Sequence, residues 1–357
     1  MTCDITKFTI ISKKRKIAKS EHQHIKMKHI LETLKQRQPL QPEELYNTLL
    51  SIMEGEFNDF EIAAFLMGLG PENETVDHIV SAATALREKA LRVNAPENAI
   101  DCCGTGGDGS KTFNISTAVA IVSAASGACV AKHGNRAASS QSGAADILEA
   151  MDIELIADTK KLEKALHEIG FAFLMAPHHH TSMARVAKIR KALGFKTLFN
   201  VLGPLSNPAN VSTQLVGVYD RKWLMPLAKA LAKLGAKKAL IVHGEDGLDE
   251  ITLSGFTYCV EWNGQDILEY DLAPDDFGLP PVALEDIRGG SPQDNAKALM
   301  DLLEGEKTAY RDVVLANCAA VLKLSGVTRN LQDGVDLARE SIDDGRAMNI
   351  LKAYQNI

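Results

Sequence analysis

A glycine-rich loop and a short basic segment are the parts of this chain best suited to chemistry. The loop lies in Asp101–Gly109, reads Asp-Cys-Cys-Gly-Thr-Gly-Gly-Asp-Gly and follows an apolar run. The basic segment, Lys132–Ser140, reads Lys-His-Gly-Asn-Arg-Ala-Ala-Ser-Ser and follows the next apolar run. Glycine amides approach a phosphate closely because no Cβ intervenes, and Lys132 and Arg136 can neutralise its charge. The two segments predict a pocket for a polyanionic, phosphate-bearing ligand.

The glycine spacing also matches a dinucleotide-binding fingerprint, which the neighbouring residues argue against. Gly104–Gly109 has the G-x-G-x-x-G spacing between a predicted strand and a predicted helix. That fingerprint requires an acidic residue about 20 positions further on to hold a ribose hydroxyl. Here the next strand ends instead in Lys132 and His133. Asp108 also places a carboxylate in the loop, which repels a pyrophosphate unless a metal or a ribose hydroxyl meets it. Nicotinamide binding is therefore disfavoured.

Four polar side chains follow the glycine loop at the start of an apolar helix. They are Thr112, Asn114, Ser116 and Thr117. The first turn of a helix carries unpaired N–H groups and a partial positive charge, which suit a phosphate. Helix capping alone would account for Ser116 and Thr117 but not for the whole run. We therefore expect a ligand site here.

The basic segment follows a predicted strand directly. Gly134-Asn135 alone would indicate a solvated turn. Ligands of open α/β sheets bind beyond the carboxyl ends of the strands, and two such ends here carry complementary chemistry. The segment is therefore interpreted as part of the pocket, with Ser139 and Ser140 as additional donors to phosphate oxygens.

Two adjacent carboxylates, Asp249 and Glu250, follow a third apolar strand, Ala239–Val242. Magnesium is usually held by one or two carboxylates together with substrate phosphates and waters. An acidic surface turn is the alternative interpretation. The position of the pair beside the predicted phosphate pocket favours a magnesium site.

Three consecutive histidines, His178–His180, raise the question of zinc. Only alternate side chains of an extended segment share a face, so three in a row do not converge easily on one tetrahedral ion. A loop near the pocket is the preferred interpretation. The sequence contains neither a Gly-x-Ser-x-Gly elbow nor a His-Glu-x-x-His pair.

Composition restricts the partners that the protein is expected to have. The chain has 357 residues and a net charge of -7, which argues against a nucleic acid held by bulk electrostatics. No apolar run approaches the length of a membrane span, and residues 1–28 lack the apolar region of a secretory signal. We expect a cytoplasmic protein with no membrane partner, whose cysteines are reduced and mostly buried. The cysteines are Cys3, Cys102, Cys103, Cys129, Cys259 and Cys318.

Three regions differ in their residue pattern. Residues 1–26 are basic and lack an apolar face, so we expect a disordered tail. Residues 27–98 repeat apolar side chains at three- and four-residue spacing, which predicts a small all-helical domain. Residues 99–357 alternate short β-type runs with helices, which predicts a larger α/β domain. Residues 178–205 interrupt this alternation as an excursion of helices and loops.

The α/β region should contain a central sheet with helices on both faces. Predicted strands cover 99–103, 128–132, 171–176, 212–218, 238–243 and 252–262. Predicted helices lie near 114–126, 143–150, 159–169, 222–235, 292–304 and 308–324. Each parallel pair of strands needs a crossover, which the intervening helices supply.

Four motifs in this order closely resemble the anthranilate phosphoribosyltransferase family. They are Asp101–Ser116, Lys132–Ser140, Arg190–Pro208 and Val242–Glu250, and the resemblance extends over about residues 27–357. It implies transfer of the phosphoribosyl group of phosphoribosyl pyrophosphate (PRPP) to anthranilate, a step of tryptophan biosynthesis. It also implies a nucleoside phosphorylase/phosphoribosyltransferase-like fold with a mostly parallel sheet, in which part of 178–205 joins the helical domain. Sites between the two domains and a homodimer formed through the helical domain are implied as well.

The resemblance also implies roles for individual residues. PRPP binding is implied for Gly104, Gly107, Asp108, Thr112, Asn114, Ile115, Ser116, Thr117, Lys132, His133, Gly134, Asn135, Arg136, Ala137, Ala138, Ser139, Ser140 and Ala144. Anthranilate binding is implied for Gly104, Asn135 and Arg190, with His133, Gly203 and Pro204 lining its path. Two magnesium ions are expected on Ser116, Asp249 and Glu250. No catalytic residue is assigned, and whether His133 acts chemically or only packs beside anthranilate stays open.

The chain departs from the family pattern near the arginine. Lys188 replaces the usual proline two positions before Arg190, and Lys196-Thr197 replaces an Arg-Thr pair. These changes can alter anthranilate affinity without changing the reaction.

Two other functions are weighed against the transferase: a pyrimidine-nucleoside phosphorylase, and a non-catalytic nucleic-acid-binding relative of the fold. The first would not need the Asp249-Glu250 pair, and the second should lack the glycine loop and have a basic groove.

Overall fold

A computed structural model describes residues 25–137 and 141–357 of the chain. The predicted tail over 1–24, together with Cys3, Ala138, Ser139 and Ser140, lies outside the described residues. The sequence also placed residues 25 and 26 in the tail, but both are helical. No helix in the described part of the chain is long and apolar enough to cross a membrane.

The described helices are numbered in chain order. They are α1 (25–35), α2 (Pro42–Met53), α3 (Asp59–Gly68), α4 (Val76–Lys89), α5 (Ile115–Ala125), α6 (Ala144–Ala150), α7 (Thr159–Glu168), α8 (Ala176–His179), α9 (Ala184–Leu193), α10 (Phe199–Leu202), α11 (Leu224–Lys233), α12 (Pro292–Leu303), α13 (Ala309–Ser325), α14 (Leu331–Asp343) and α15 (Arg346–Gln355).

One compact unit is entirely helical. It comprises the described residues up to Lys89 and the separate segment Ser182–Leu198. Asn58 begins α3 by accepting the N–H groups of Phe60 and Glu61, each at 3.0 Å, which satisfies two of the orphan donors of the first turn. Helix α9, in the returning segment, packs against α3.

The second unit, Ala90–Thr181 with Phe199–Ile357, is built on one sheet of seven strands. The strands are β1 (Ile100–Gly104), β2 (Val130–Gly134), β3 (Phe171–Met175), β4 (Thr213–Gly217), β5 (Lys238–Gly244), β6 (Thr257–Trp262) and β7 (Ile267–Leu272). Their order is β3-β2-β1-β4-β5-β6-β7. The first five strands are parallel to one another, β6 is antiparallel to β5, and β7 is antiparallel to β6. The prediction of a helical region followed by an α/β region with a mostly parallel sheet is confirmed.

The direction in which the sheet grows reverses at β1. The chain first adds β2 and β3 on one side of β1, then returns to add β4 and β5 on the other side. In open α/β sheets, such a reversal leaves a crevice at the carboxyl ends of the strands, where ligands bind. Strands β1, β2, β4 and β5 each end in glycine: Gly104, Gly134, Gly217 and Gly244.

The last part of the sheet differs from the sequence prediction. A strand was predicted over 252–262, but β6 begins only at Thr257. The backbone before it is held by side chains instead, because Thr252 N–H donates to Thr257 Oγ1 at 3.0 Å and Ile251 N–H donates to Asn317 Oδ1 at 2.9 Å. The sequence prediction also omitted β7, α14 and α15. Strand β7 forms a hairpin with β6 through the four-residue loop 263–266, which begins with Asn263-Gly264.

Candidate active site

The crevice at β1 and β4 is occupied by the segment that contains Asp249. A Cβ placed on Gly104 would overlap the Asp249 carboxylate, and one placed on Gly217 would overlap the backbone carbonyl of the same residue. Only glycine at the ends of β1 and β4 allows this close approach. The fold thus brings the acidic segment after β5 against the glycine loop after β1.

The glycine loop turns its backbone in a conformation that other residues rarely adopt. Gly106 and Gly107 have φ values of +67° and +77°. Successive amides in such a turn form a concave site for anions. The Gly106 N–H donates to Oδ2 of Asp249 at 2.7 Å, so the loop and the acidic segment are directly joined.

Carboxylates are concentrated at this point. Asp249 is buried, and burial together with the charge of Asp108 raises its pKa. Burial and the charge of Asp249 raise the pKa of Glu250 to about 8. Bringing like charges together in a protein interior disfavours ionisation of both groups. A bound cation would remove this repulsion.

Lys132 lies beneath the loop and is not an exposed cation. Only 1% of its surface is accessible, and its Nζ donates to the Cys102 carbonyl at 2.9 Å and to Ser116 Oγ at 3.1 Å. Its positive charge lowers the pKa values of Asp249 and Glu250 and so opposes part of the effect of burial. Lys132 therefore acts on the site from below, through Ser116 and the carboxylates.

The start of α5 is anchored through Asn114. Its Oδ1 accepts from Asn295 Nδ2 at 2.8 Å and its backbone carbonyl accepts from Tyr310 Oη at 3.1 Å. Asn114 Nδ2 donates to the Ser142 backbone carbonyl, and Asn114 Oδ1 accepts from Ser142 Oγ, each at 3.2 Å. Asn114 is the N-cap of α5, so the alternative in which Ser116 and Thr117 serve only as N-caps is wrong.

His133 is buried at the end of β2. Its backbone N–H donates to Asp101 Oδ1 at 3.1 Å, and its Nδ1 pairs with the Gly203 carbonyl at 3.1 Å. Because a carbonyl only accepts, Nδ1 carries the proton and Nε2 is an acceptor. Nε2 has no hydrogen-bond partner among the described residues. Burial and the charge of nearby His180 lower the pKa of His133 to about 3, so the ring is neutral at neutral pH.

Arg136 is paired with acids on α6. Its guanidinium contacts Glu149 and, at 3.2 Å, Asp146. The Asp146 carboxylate also accepts the N–H groups of Ala137 at 3.0 Å and Gly143 at 2.8 Å. Asp146 thus closes the basic segment onto the start of α6, where Ala144 lies.

The three histidines make separate contacts. His179 Nδ1 pairs with the Leu91 carbonyl at 2.8 Å, and His180 Nε2 pairs with the Ser206 carbonyl at 2.9 Å. Among residues 25–137 and 141–357, no group of three or more His, Cys, Asp or Glu side chains is arranged to hold a metal ion. If the Asp249-Glu250 pair binds a cation, oxygens from a ligand or water would complete its coordination shell.

Comparison with known proteins identifies the family. Residues 96–348 match the glycosyl transferase family a/b domain, and residues 28–90 match the helical bundle domain of that family. The chain is 50% identical over 300 residues to anthranilate phosphoribosyltransferase of Parvibaculum lavamentivorans, covering 84% of this chain and 88% of that protein. The chain belongs to the anthranilate phosphoribosyltransferase family.

Solved anthranilate phosphoribosyltransferase structures have the same fold. The Thermus thermophilus enzyme superposes with a TM-score of 0.86 at 40% identity, covering 92% of this chain and 98% of that chain. The Saccharomyces cerevisiae enzyme in complex with PRPP and Mg has a TM-score of 0.84 at 31% identity, with 92% and 97% coverage. The same yeast enzyme has been solved with 4-fluoroanthranilate, and that structure has a TM-score of 0.83 at 29% identity, with 92% and 98% coverage.

The donor atoms of this anthranilate phosphoribosyltransferase family member fit magnesium. Asp249 and Glu250 supply hard carboxylate oxygens, and the Ser116 hydroxyl lies within hydrogen-bond distance of the same Lys132 that acts on both acids. The pKa values of both carboxyls are raised, so the positive charge of Lys132 does not fully compensate the negative charges of Asp249 and Glu250. A divalent cation would supply that charge.

The α/β unit brings most of the predicted site residues together. The Gly104–Thr117 region, Lys132–Ala137, Gly203-Pro204 and Asp249-Glu250 are linked by the contacts described above. Arg190 belongs to the helical unit, on α9, where burial lowers its pKa. Its part in the site stays a prediction, as do the ligand roles of the other residues.

Sequence reasoning missed several buried polar residues that support the site. They are Asp101, Asn207, Asn295, Tyr310 and Asn317. Asp101 and Asn207 lie inside the motifs that carry the family resemblance, but no role was assigned to either residue. The available signal was the presence of polar side chains in otherwise apolar segments, since buried polar groups are normally hydrogen-bonded to specific partners. Their partners are distant in sequence and could not be read from local spacing.

Proposed function

We propose that this protein transfers the phosphoribosyl group of PRPP to the amine of anthranilate, forming N-(5-phosphoribosyl)anthranilate and pyrophosphate. The reaction belongs to tryptophan biosynthesis. The single observation that carries the proposal is the contact of the glycine loop with the acidic segment, in which Gly106 N–H meets the Asp249 carboxylate at the carboxyl ends of β1 and β4. Amides of a glycine turn beside carboxylate oxygens are the groups that a magnesium pyrophosphate needs, and this contact therefore supports the proposal.

PRPP already has a good leaving group, so the main requirement is to stabilise the negative charge of the departing pyrophosphate. Asp249 and Glu250, with Ser116, would hold magnesium, and we propose two ions. When bound, magnesium neutralises the pyrophosphate as it leaves. The glycine-loop amides and the start of α5 bind phosphate oxygens, while buried Lys132 adds positive charge from below.

The acceptor needs positioning rather than activation. The aromatic amine of anthranilate is neutral at cellular pH, so no strong base is required. The low pKa of His133 makes it a poor base, but its Nε2 can accept a hydrogen bond from the amine. We propose that His133 orients the amine and that Arg190 binds the anthranilate carboxylate. Bringing the amine and the anomeric carbon together then supplies much of the rate.

The nucleoside phosphorylase and the nucleic-acid-binding protein are less well supported. The Asp249-Glu250 pair and the glycine loop are both present and joined. The family relatives named above are anthranilate phosphoribosyltransferases. An anthranilate fluorescence assay tests the transferase: mixing the protein with anthranilate, PRPP and magnesium should reduce anthranilate fluorescence. No decrease in fluorescence, together with phosphate-dependent cleavage of a pyrimidine nucleoside, would establish the phosphorylase instead.

We further propose a cytoplasmic homodimer. The five described cysteines are free thiols, as expected in a reducing compartment. In the helical unit, Phe60 and Met67 of α3 expose 88% and 61% of their surfaces, and large exposed apolar side chains are typical of a protein interface. Phe60→Asp should therefore yield a monomer in sedimentation analysis. Phe256→Asp, which changes an exposed phenylalanine of the α/β unit, should leave the dimer intact.

A further inference from the structure

Strands β1 and β2 separate towards the site. Their register contains one residue pair, Ile100 with Val130, whereas β1 pairs with β4 over Ile100–Gly104 and β2 pairs with β3 over Val130–Gly134. Neighbouring parallel strands normally continue their ladder of backbone hydrogen bonds. Here the facing edges of β1 and β2 have no further paired residues after Ile100 and Val130, towards the proposed ligand-binding residues.

The carboxylate of Asp101 replaces part of the missing ladder. Asp101 is fully buried, and its Oδ1 accepts the backbone N–H of His133 from the neighbouring strand at 3.1 Å. Its Oδ2 accepts from Asn207 Nδ2 at 2.8 Å and from Cys103 Sγ at 3.4 Å. The Asp101 side chain thus holds β1 and β2 at a fixed separation.

Asn207 connects this contact to the turn that follows Gly203. Its Nδ2 donates a second hydrogen bond, to the Ala131 carbonyl at 2.8 Å, and its Oδ1 accepts from Ala209 N–H at 2.8 Å. Asn207 is buried, and both of its polar atoms are engaged. It therefore joins β1, β2 and the turn that carries the Gly203 carbonyl, the partner of the His133 ring.

Burying the charged carboxylate of Asp101 between β1 and β2 costs free energy of folding unless its partners compensate the charge. Burial raises the pKa of Asp101, and the nearby charge of Lys132 opposes that rise. A buried carboxylate is retained only where hydrogen bonds and an opposite charge compensate it. Both His133 contacts, one to its backbone and one to its ring, depend on this group of residues.

We propose that Asp101 and Asn207 are positioning residues, which hold β2 and the Gly203 turn so that Lys132 and His133 stand correctly for PRPP and anthranilate. This inference rests on the proposed function. The hydrogen bonds of Asp101 and Asn207 reach β2, Cys103 and Ala209, so each residue acts through the residues that it holds. The proposal predicts altered substrate affinity in a protein that is still folded.

Two substitutions test the proposal. Asp101→Asn keeps the shape of the side chain but turns its new amide donor towards the Nδ2 donor of Asn207. Asn207→Ser removes the side-chain amide that bonds both Asp101 and the Ala131 carbonyl. Each should raise the KM for PRPP about tenfold, the effect of losing one hydrogen bond to a charged group, with a smaller change in kcat. The double variant Asp101→Asn, Asn207→Asp restores one donor and one acceptor and should recover part of the affinity.

A matched control separates positioning from loss of stability. Ser341→Ala removes a buried hydroxyl that accepts from Ser126 Oγ at 3.0 Å, in a contact between α14 and the C-cap residue of α5, at the opposite end of α5 from the proposed site. It should lower Tm and leave both KM values unchanged. If Asp101→Asn and Asn207→Ser also lower only Tm, with KM unchanged, the positioning role is wrong.

A binding measurement makes the outcome independent of turnover. PRPP with magnesium should raise the Tm of the unaltered protein, and this increase should be smaller in Asp101→Asn and Asn207→Ser. Unaltered protein that gains stability from PRPP but does not consume anthranilate would contradict the proposed function and leave the positioning role testable. Equal gains in all three proteins would contradict the positioning role. Should Asp101→Asn fail to fold, Asn207→Ser decides the question.

Discussion

The backbone N–H of Gly106 lies 2.7 Å from Oδ2 of Asp249, a residue 143 positions later in the chain. This hydrogen bond joins the two parts of the proposed site directly. It also engages an amide that is expected to bind phosphate. A ligand with several anionic oxygens must therefore change the contacts of Asp249 as well as those of the loop.

Removing both carboxylates should abolish turnover without unfolding the protein. The double variant Asp249→Asn, Glu250→Gln should lose about 100-fold or more in kcat/KM, because the charge that holds magnesium is gone. Activity measured across magnesium concentrations, together with Tm, tests this expectation. Asp275→Asn, Asp276→Asn, which alters an exposed acidic pair, is the control and should retain full activity. Near-normal activity of the first variant would remove the metal-site assignment.

The stability of the metal-free protein should depend on the protonation of Glu250. Its pKa rises from 4.5 to about 8 on folding, so the folded state favours the proton. Glu250 therefore contributes full stability below about pH 4.5, and this contribution is lost as the pH rises through 8. In the presence of a chelator, the Tm of Glu250→Gln minus the Tm of the unaltered protein should be more positive at pH 8.5 than at pH 4.5. A Tm difference that does not vary with pH would contradict the assignment of the shift.

Lys132→Met should affect both stability and PRPP binding. Lys132 is buried and compensates the acids Asp249 and Glu250, so its loss leaves them with less opposing charge. Breaking one side of such a buried charge pair costs on the order of 3–5 kcal/mol. Chemical denaturation should show this loss, and magnesium should recover part of it. Weakened PRPP binding with unchanged stability would mean that Lys132 contacts phosphate directly, as the sequence alone suggested.

Arg190→Ala should raise the KM for anthranilate about tenfold to a hundredfold and leave the KM for PRPP nearly unchanged, if the guanidinium binds the carboxylate. Arg190→Lys should recover little, because lysine lacks the paired donors of the guanidinium. Arg185→Ala is the matched control, since Arg185 lies on the same helix and contacts Asp59. An unchanged anthranilate KM in Arg190→Ala would place the carboxylate contact elsewhere.

The sequence predicted the architecture well because its signals were local. Apolar spacing located most helices, and short β-type runs located β1 to β5. The start of β6 was wrong because Thr252 and Ile251 are in a buried apolar run but take their backbone partners from Thr257 and Asn317 rather than from a strand. Local patterns do not reveal such partners.

The sequence predicted which residues contribute to the candidate site, but it did not predict which contacts their side chains make. Lys132 was expected to meet phosphate, and the structure buries it against Cys102 and Ser116. Arg136 was expected to neutralise phosphate, and its guanidinium is paired with Glu149 and Asp146. Both arrangements depend on residues from other elements, so the order of residues in the chain gives no direct signal for them.

The glycines at the ends of β1 and β4 have a consequence for how this sequence can vary. A Cβ at Gly104 or Gly217 would overlap Asp249, so both positions should reject every larger residue in a complete substitution library. At Gly217, that intolerance would reflect the backbone carbonyl of Asp249 and not contact with a substrate. A library read without the structure would therefore count Gly217 among the ligand-binding positions, whereas it marks the place where two distant parts of the chain meet.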